Sequence, residues 1–531
     1  MKQIHLKKIR VIIALIFFLS LTFFFIDFRK HLPEFLYDSF SYLQFIPSIL
    51  KFVSMLSISA SGFIIVLVLT SVFGRIYCSS ICPLGILQDI ISWVNKKTRR
   101  KFRFRYTSPV NYLRYPLLAL PVVFYLAGSV FLLLLLDPFS NFGRIVSDIF
   151  QPVYLGINNA GSRFLEKLNV YFLYPEDITF ASWETYIFPI FILALVIWMT
   201  VSKGRLFCNS VCPVGTLLGL LSRISVFRIS MLKDQCTQCG KCAVVCKSTC
   251  IRIKDLNVDF SRCVGCFNCI SVCPEAAIKY VRNKRQQVIP EEPGSRERRE
   301  AIQTLGLILF GIFGFRRKLY SQDIQQDGIP VVPPQNTFPT EIKPEKNYPV
   351  SPPGSLGIDH FTGTCTACHL CVSACPTQVL QPSLLEYGFT GIMQPYMNYN
   401  VNYCNFECVI CSEVCPTGAI LSLSKEAKKI TQIGQVVFIL ESCIVYTDNT
   451  SCGSCSEHCP TKAVKMVPYT SALTIPETNP DICVGCGACE YACPTKPYKA
   501  IYVDGHSIHK VAKEPETEEL EQPDLEEDFP F

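Results

Sequence analysis

Apolar and polar positions separate into blocks along the 531 residues, and the blocks change character twice. Four nearly unbroken apolar runs, 11–26, 52–73, 115–136 and 186–201, fill much of the first two hundred residues. Each approaches the ~20 residues with which a helix crosses hydrocarbon, so the pattern predicts four transmembrane helices in a domain covering 1–228. Lys7, Lys8 and Arg10 ahead of the first run could suggest a cleavable signal. Asp27, Phe28, Arg29 and Lys30 follow it with no small-residue cleavage site, so an anchor is expected. From 229 the apolar runs shorten and are punctuated by cysteine, which predicts compact α+β units at 229–285 and 358–508. Between them lie a fifth apolar stretch within 286–320 and a proline-rich segment, 321–357, expected to be extended. The acidic end, 509–531, is expected to be a disordered tail.

Charge follows the same division. Residues 1–315 hold 36 Lys and Arg against 18 Asp and Glu, whereas 316–531 hold 14 against 25. A basic half can signal nucleic-acid binding, but here the excess flanks apolar runs, where the positive-inside rule accounts for it, and no nucleic-acid partner is expected. Lys96, Lys97, Arg99, Arg100, Lys101, Arg103 and Arg105 after the second run mark a cytoplasmic loop. The N-terminus then lies inside too.

The second and fourth runs end alike, in "GRIYCSSICPLG" (74–85) and "GRLFCNSVCPVG" (204–215), pairing Cys78 with Cys208 and Cys82 with Cys212. The chain therefore contains a duplicated helical hairpin. Residues four apart share one face of a helical turn, and proline suits the start of the next helix. Two such pairs could supply four thiolates for an additional cluster, form a redox dithiol, or merely pack the hairpins. Arg75, Arg205 and Asp89 are the polar residues beside these pairs.

The 29 cysteines are too regularly spaced for a secreted disulfide scaffold and read as metal ligands. "CTQCGKCAVVC" gives Cys236, Cys239, Cys242 and Cys246; "CVGCFNCISVCP" gives Cys263, Cys266, Cys269 and Cys273. In such runs three thiolates hold one [4Fe–4S] cube and the fourth reaches the neighbouring cube. One set is then Cys236, Cys239, Cys242 and Cys273, the other Cys263, Cys266, Cys269 and Cys246. Lys247 stands where proline usually follows, and Cys250 is left over. Four further runs end in CP: Cys365, Cys368, Cys371 and Cys375; Cys404, Cys408, Cys411 and Cys415; Cys443, Cys452, Cys455 and Cys459; Cys483, Cys486, Cys489 and Cys493. Six [4Fe–4S] clusters are expected, with Cys78, Cys82, Cys208 and Cys212 as candidates for a seventh. The runs carry too many thiolates for separate tetrahedral zinc sites. "CTACH" (365–369) fits the c-haem rule, but that reading would strand Cys371 and Cys375.

In "GSRERREAIQTLGLILFGIFGFRRK" (294–318), Arg298 and Arg299 precede a short apolar run, the pattern of twin-arginine export, a route for proteins folded around their cofactors. It predicts an extracytoplasmic second unit. Glu300 to Ile302 and the trailing Arg316, Arg317 and Lys318 depart from that pattern, and a membrane-surface helix is the other reading.

The CxxxCP hairpins followed by a two-cluster unit make residues 1 to about 285 resemble NapH-type membrane ferredoxins. Twin arginines, "SPPGSLG" and four cysteine runs make 294 to about 505 resemble NapG/MauM ferredoxins, so the whole resembles a fusion of the two. The resemblance implies an inner-membrane, multi-pass protein passing electrons from the quinone pool to a partner reductase or cytochrome, with Arg75, Arg205 and Asp89 the candidate polar groups at a quinone. It also implies nested pairing in the second unit, runs one with four and two with three, against sequential pairing as the alternative. The fold class expected is an α-helical polytopic membrane domain plus α+β ferredoxin-like iron–sulfur domains. No GxGxxG, P-loop, HExxH or flavin-attachment pattern marks an autonomous catalytic site, so an electron-transfer component, at most a quinol dehydrogenase, is expected. A maturation factor supplying reducing equivalents or thiols to an envelope metalloenzyme is the alternative.

Overall fold

The computed structural model describes residues 4–27, 33–55, 61–98, 104–176, 183–282, 343–470 and 472–513. Arg298, Arg299, the apolar run after them and most of the acidic tail lie outside the described residues.

Helix α1 (Ile4–Ile26) is apolar on nearly every face and organises the helical half. Its 23 residues span ~34 Å at 1.5 Å per residue. Around it stand α2 (Phe45–Met55), α3 (Gly62–Phe73), α4 (Pro83–Thr98), α5 (Pro116–Leu126), α6 (Phe131–Leu136), α7 (Pro138–Arg144), α8 (Gln151–Glu166), α9 (Ile187–Lys203) and α10 (Pro213–Ser222). A π-helical turn, Ile145–Phe150, joins α7 to α8.

Two helices among the described residues, His5–Ile26 and Trp183–Lys203, are long and apolar enough to cross a membrane. The second and third expected spans are not single helices. The run 52–73 is divided between the end of α2 and α3. The run 115–136 breaks between α5 and α6 at Gly128, whose φ of +89° few other residues adopt. Asp137 then caps α7, accepting from the Phe139 and Ser140 amides, with Pro138 at the first helical position.

Among the described residues the strands form five antiparallel pairs. In the first ferredoxin unit β1 (Phe227–Met231) pairs with β4 (Ile278–Arg282) and β2 (Ile251–Arg252) with β3 (Asn257–Val258). In the second, β5 (Leu380–Pro382) pairs with β6 (Pro395–Met397), and β8 (Val464–Pro468) with β9 (Thr474–Thr478). The longest ladder joins β7 (Thr431–Phe438) to β10 (Ile501–Val511). That ladder carries the folded unit three residues past the boundary expected at 508. The proline-rich segment is likewise shorter than expected. Val350, Ser351 and Ser355 are buried, the Val350 carbonyl accepts from the Met397 amide, and Asn347 binds Asp504 through backbone and side chain, so residues from 347 belong to the second unit.

The two ferredoxin units sit at opposite ends of α1. Leu6 packs on the first unit's core and Lys7 donates to Ser271, whereas Phe25 at the other end packs against Gly143, which also meets the Cys368 backbone. One buried core runs from Cys266 through Leu21, Phe25, Cys78, Cys82 and Cys212 to Cys365 and Cys489. Apolar burial at ~25 cal/mol per Å² holds the second unit to the helices, while the first keeps a core of its own around Ile229, Phe267 and Cys269 and joins the long one through Val264 and Cys266.

Candidate iron–sulfur centres

The duplicated motif folds twice in the same way. Gly74 and Gly204, with φ of +79° and +69°, terminate α3 and α9. Short helices Tyr77–Ser80 and Leu206–Ser210 follow, then a proline at the first position of α4 or α10. Arg75 Nη2 donates to the Cys208 carbonyl at 3.1 Å and lies 3.9 Å from Cys78 Sγ, while Arg205 Nη1 donates to the Cys78 carbonyl. Each copy thus clasps the other. Cys78, Cys82, Cys208 and Cys212 are all buried and close enough for their charges to act on one another. Gln88 Nε2 adds a contact of 3.2 Å to Cys208 Sγ, and the Gly215 amide donates to Cys212 Sγ. The sequence pairing of the four hairpin cysteines is therefore realised in space.

The arginines and Asp89 do not form a quinone rim. Arg75 and Arg205 are wholly buried, and Asp89 nearly so. Asp89 pairs with Arg10 at 3.1 Å, Arg205 at 2.8 Å and Lys247 at 3.2 Å. Burial alone would raise its pKa, but Arg205, then Lys247 and Arg10, hold the carboxyl well below the usual carboxylate range. Lys247, anomalous after a ferredoxin run, is thus the group by which the first unit grips the helices. Arg75 Nη1 and Arg114 Nη2 strengthen the joint through the Ser261 carbonyl, at 2.9 and 2.7 Å.

In the first unit a cavity is lined by Cys236, Cys239, Cys242 and Cys273, the set expected for one cube. Cys246 acts electrostatically on Cys263, Cys266 and Cys269, the second expected set. Cys250, which had no role in the spacing, lies 3.6 Å from Cys246 Sγ and also contacts the Cys263 thiol.

The second unit pairs its runs sequentially. Cys415 acts on Cys365, Cys368 and Cys371, and Cys375 on Cys404, Cys408 and Cys411. Cys443, Cys452, Cys455 and Cys493 line one cavity, and Cys459 acts on Cys483, Cys486 and Cys489. The nested arrangement is overturned: short connections bring neighbouring runs face to face, as in the first unit. Burial pushes the Cys486 thiol up to about 12, a strong preference for neutrality that metal ligation would have to reverse. Each fourth cysteine is followed two residues on by a threonine whose hydroxyl lies against its sulfur: Thr377 at 3.6 Å, Thr417 at 3.7 Å, Thr461 at 3.8 Å and Thr495 at 3.1 Å. The repeated CPT was visible in the sequence as the signal for this contact. Cys404 gains a further donor, Lys428 Nζ, at 3.4 Å. His369 of the haem-like motif instead turns to Asp148, at 2.8 Å. Among the described residues no three His, Cys, Asp or Glu side chains close on a single metal ion.

A 4Fe-4S binding domain matches both hairpins, at residues 58–104 and 185–231. Two 4Fe-4S dicluster domains match 364–420 and 450–496, which unite runs one with two and three with four as the geometry does. NapH, a ferredoxin-type protein of Escherichia coli K12, is 25% identical over 229 residues, 41% of this chain and 66% of its own length. The chain is similar to NapH-type ferredoxins over 41% of its length. An uncharacterized protein of Methanocaldococcus jannaschii is 25% identical over 225 residues, 41% of this chain and 68% of that one. NapF of E. coli K12, another ferredoxin-type protein, is 29% identical over 158 residues, 30% of this chain and 87% of its own. No solved structure matches. The NapH-type relatives and the 4Fe-4S domains assign the chain to iron–sulfur electron transfer.

Proposed function

We propose that the chain is a membrane-embedded relay carrying electrons from quinol, or from a donor beside the first unit, to a reductase or cytochrome beside the second. The observation that carries the reading is that one buried core joins Cys266 of the first unit, Cys78, Cys82 and Cys212 of the hairpins and the second unit's cysteines, with the units at opposite ends of a membrane-length helix. When bound, [4Fe–4S] cubes supply one-electron chemistry at potentials from about −700 to +450 mV. The chain's part is to fix spacing and exclude water. Arg75 bridges the first unit to the quartet, being near both Cys263 and Cys78. Arg144 faces Cys368 and Cys365 from the helical half, and the Cys404 amide donates to the Cys486 carbonyl, which draws the second and fourth runs together.

Lys7, Lys8, Arg10, Lys96 and Lys97 crowd the end of the helical half that meets the first unit, which supports a cytoplasmic first unit and an extracytoplasmic second. The quartet thiols are 3–4% exposed, which favours a conduit over a maturation factor handing thiols to another protein. Iron and sulfide analysis with redox-titrated EPR of the anaerobically purified protein tests the reading: seven four-iron clusters are expected, and a colourless, iron-free folded protein would end it. An impermeant maleimide should label a Glu345→Cys variant in intact cells; protection there would place the second unit inside.

A further inference from the structure

A cleft opens to solvent where the helical half meets the second unit. One wall comes from Ser147 and Asp148 on the π-helical turn and Gln151 and Leu155 on α8; the other comes from Ser373 and Gln381 of the second unit. π-Helical turns widen a helix and frequently mark functional sites. Here the turn sets Asp148 toward His369, whose Nδ1 lies 2.8 Å from Asp148 Oδ1 and whose Nε2 lies 2.9 Å from the Met393 carbonyl. Gln151 Nε2 donates to the Ser373 carbonyl at 3.2 Å and ties the two walls together. Ser373 stands two residues beyond the ligand Cys371, a chain distance of ~8 Å at most.

The surroundings have the composition of a membrane border. Trp183 and Tyr154 are exposed on the adjoining helices, and Val153, Ile157, Ile187 and Phe191 expose further apolar surface. Aromatic residues at the level of lipid headgroups beside aliphatic ones are the signature of an interfacial zone. Apolar lining from Pro152, Leu155, Val372 and Leu380 beside a few converging polar groups suits a flat, amphipathic ring with a lipid tail.

We infer that this cleft is a quinol-binding site, with Asp148 accepting a quinol proton and His369 positioning Asp148. The inference rests on the quinol reading above and gives it a location. In the reaction the quinol loses two electrons and two protons and becomes the quinone. The two electrons would pass to two oxidised [4Fe–4S] centres, one each, the first being the one that Cys365, Cys368, Cys371 and Cys415 would hold. One proton goes to the Asp148 carboxylate and the other to water at the cleft mouth. Entry at this point would make the first cube of the second unit a junction, fed both by quinol and by the hairpin quartet.

The test uses the full chain in lipid nanodiscs with menadiol as reductant and a photoreactive azidoquinone as binding probe. Parent protein should be reduced by menadiol and should label within 145–155 or 372–382. Asp148→Asn should slow reduction about a hundredfold, the scale of a lost proton acceptor, while iron content and reduction by dithionite stay at parental values. Leu155→Trp, which fills the cleft, should abolish both the label and menadiol reduction. Label elsewhere, or both variants reduced at the parental rate, would overturn the site while leaving quinol oxidation standing. Parent protein inert to menadiol but reduced by dithionite would overturn the quinol reading and the site with it.

Discussion

Asp89→Asn is the sharpest perturbation of the joint between the helices and the first ferredoxin unit. The carboxylate answers three cations, Arg10, Arg205 and Lys247, at 2.8–3.2 Å, and only about a tenth of its side chain is exposed. At an effective dielectric constant of 20, each pair at ~3 Å is worth roughly 5 kcal/mol before desolvation is set against it. Removing the single anion leaves three buried cations facing a neutral amide, and losses of this kind run about 3–5 kcal/mol. Lys247→Met should cost far less, ~1 kcal/mol, because Asp89 keeps two partners and the cation that leaves had been desolvated. In the double variant one of the stranded charges is gone, so the cost should fall short of the two single costs added together by at least ~1 kcal/mol. Denaturant titration in nanodiscs, followed through the iron–sulfur absorbance, measures all three. An Asp89→Asn protein within ~0.5 kcal/mol of the parent, or single costs that simply add, would refute the argument that this cluster acts as one unit.

Sequential pairing predicts that Cys415→Ala damages the cube shared with Cys365, Cys368 and Cys371 and spares the pair involving Cys443; EPR of the single variants assigns each loss. Thr495→Val removes the shortest hydroxyl contact to a ligand sulfur, 3.1 Å from Cys493, and should lower that centre's potential by tens of millivolts, since 1.4 kcal/mol is ~59 mV for one electron; potentiometric titration reads it. Gly485→Ala should destabilise the second unit and empty the site at Cys483, Cys486 and Cys489, because Gly485 has a φ of +76° and its missing Cβ would strike the Gly434 backbone; iron content reports the loss. His509 is held neutral, burial lowering its pKa to about 4, so its contribution to stability is present above the ordinary value near 6.5 and is lost as pH falls from there toward 4. Thermal melts from pH 7.5 to 4.5 should show this decline, and His509→Phe should flatten it.

Much of the chemistry was legible because cluster ligation is a local matter of spacing. CxxCxxCxxxC constrains three thiolates within one loop, so the thiol groupings that the fold brings together in the first unit followed directly from the residues. Pairing between runs is a long-range property, and the spacing within Cys365 to Cys375 is silent on whether Cys415 or Cys493 completes the set. The expected helices failed where an apolar run contained a break that hydropathy averages away, as at Gly128. The basic-residue pattern hid its most informative members. Arg10 reads as an ordinary flanking charge and Lys247 only as a missing proline, and only the tertiary fold brings them to Asp89, 79 and 158 positions away. Asp148 carried no signal at all, since a single acid in a helical stretch usually faces water.

The reciprocal arginine clasp has a corollary in symmetry. Two equivalent hairpins, each donating its guanidinium to the other's carbonyl, reproduce within one polypeptide the self-complementary contact of a C₂ homodimer. One polypeptide thereby gathers four thiols that a single hairpin gathers only by dimerising. The position of Asp89 in one copy is occupied in the other by Gly219, where Arg114 and the Ser261 backbone crowd in instead. Symmetry survives at the centre, where the thiols meet, and has been surrendered at the periphery, where each half acquired a different neighbour.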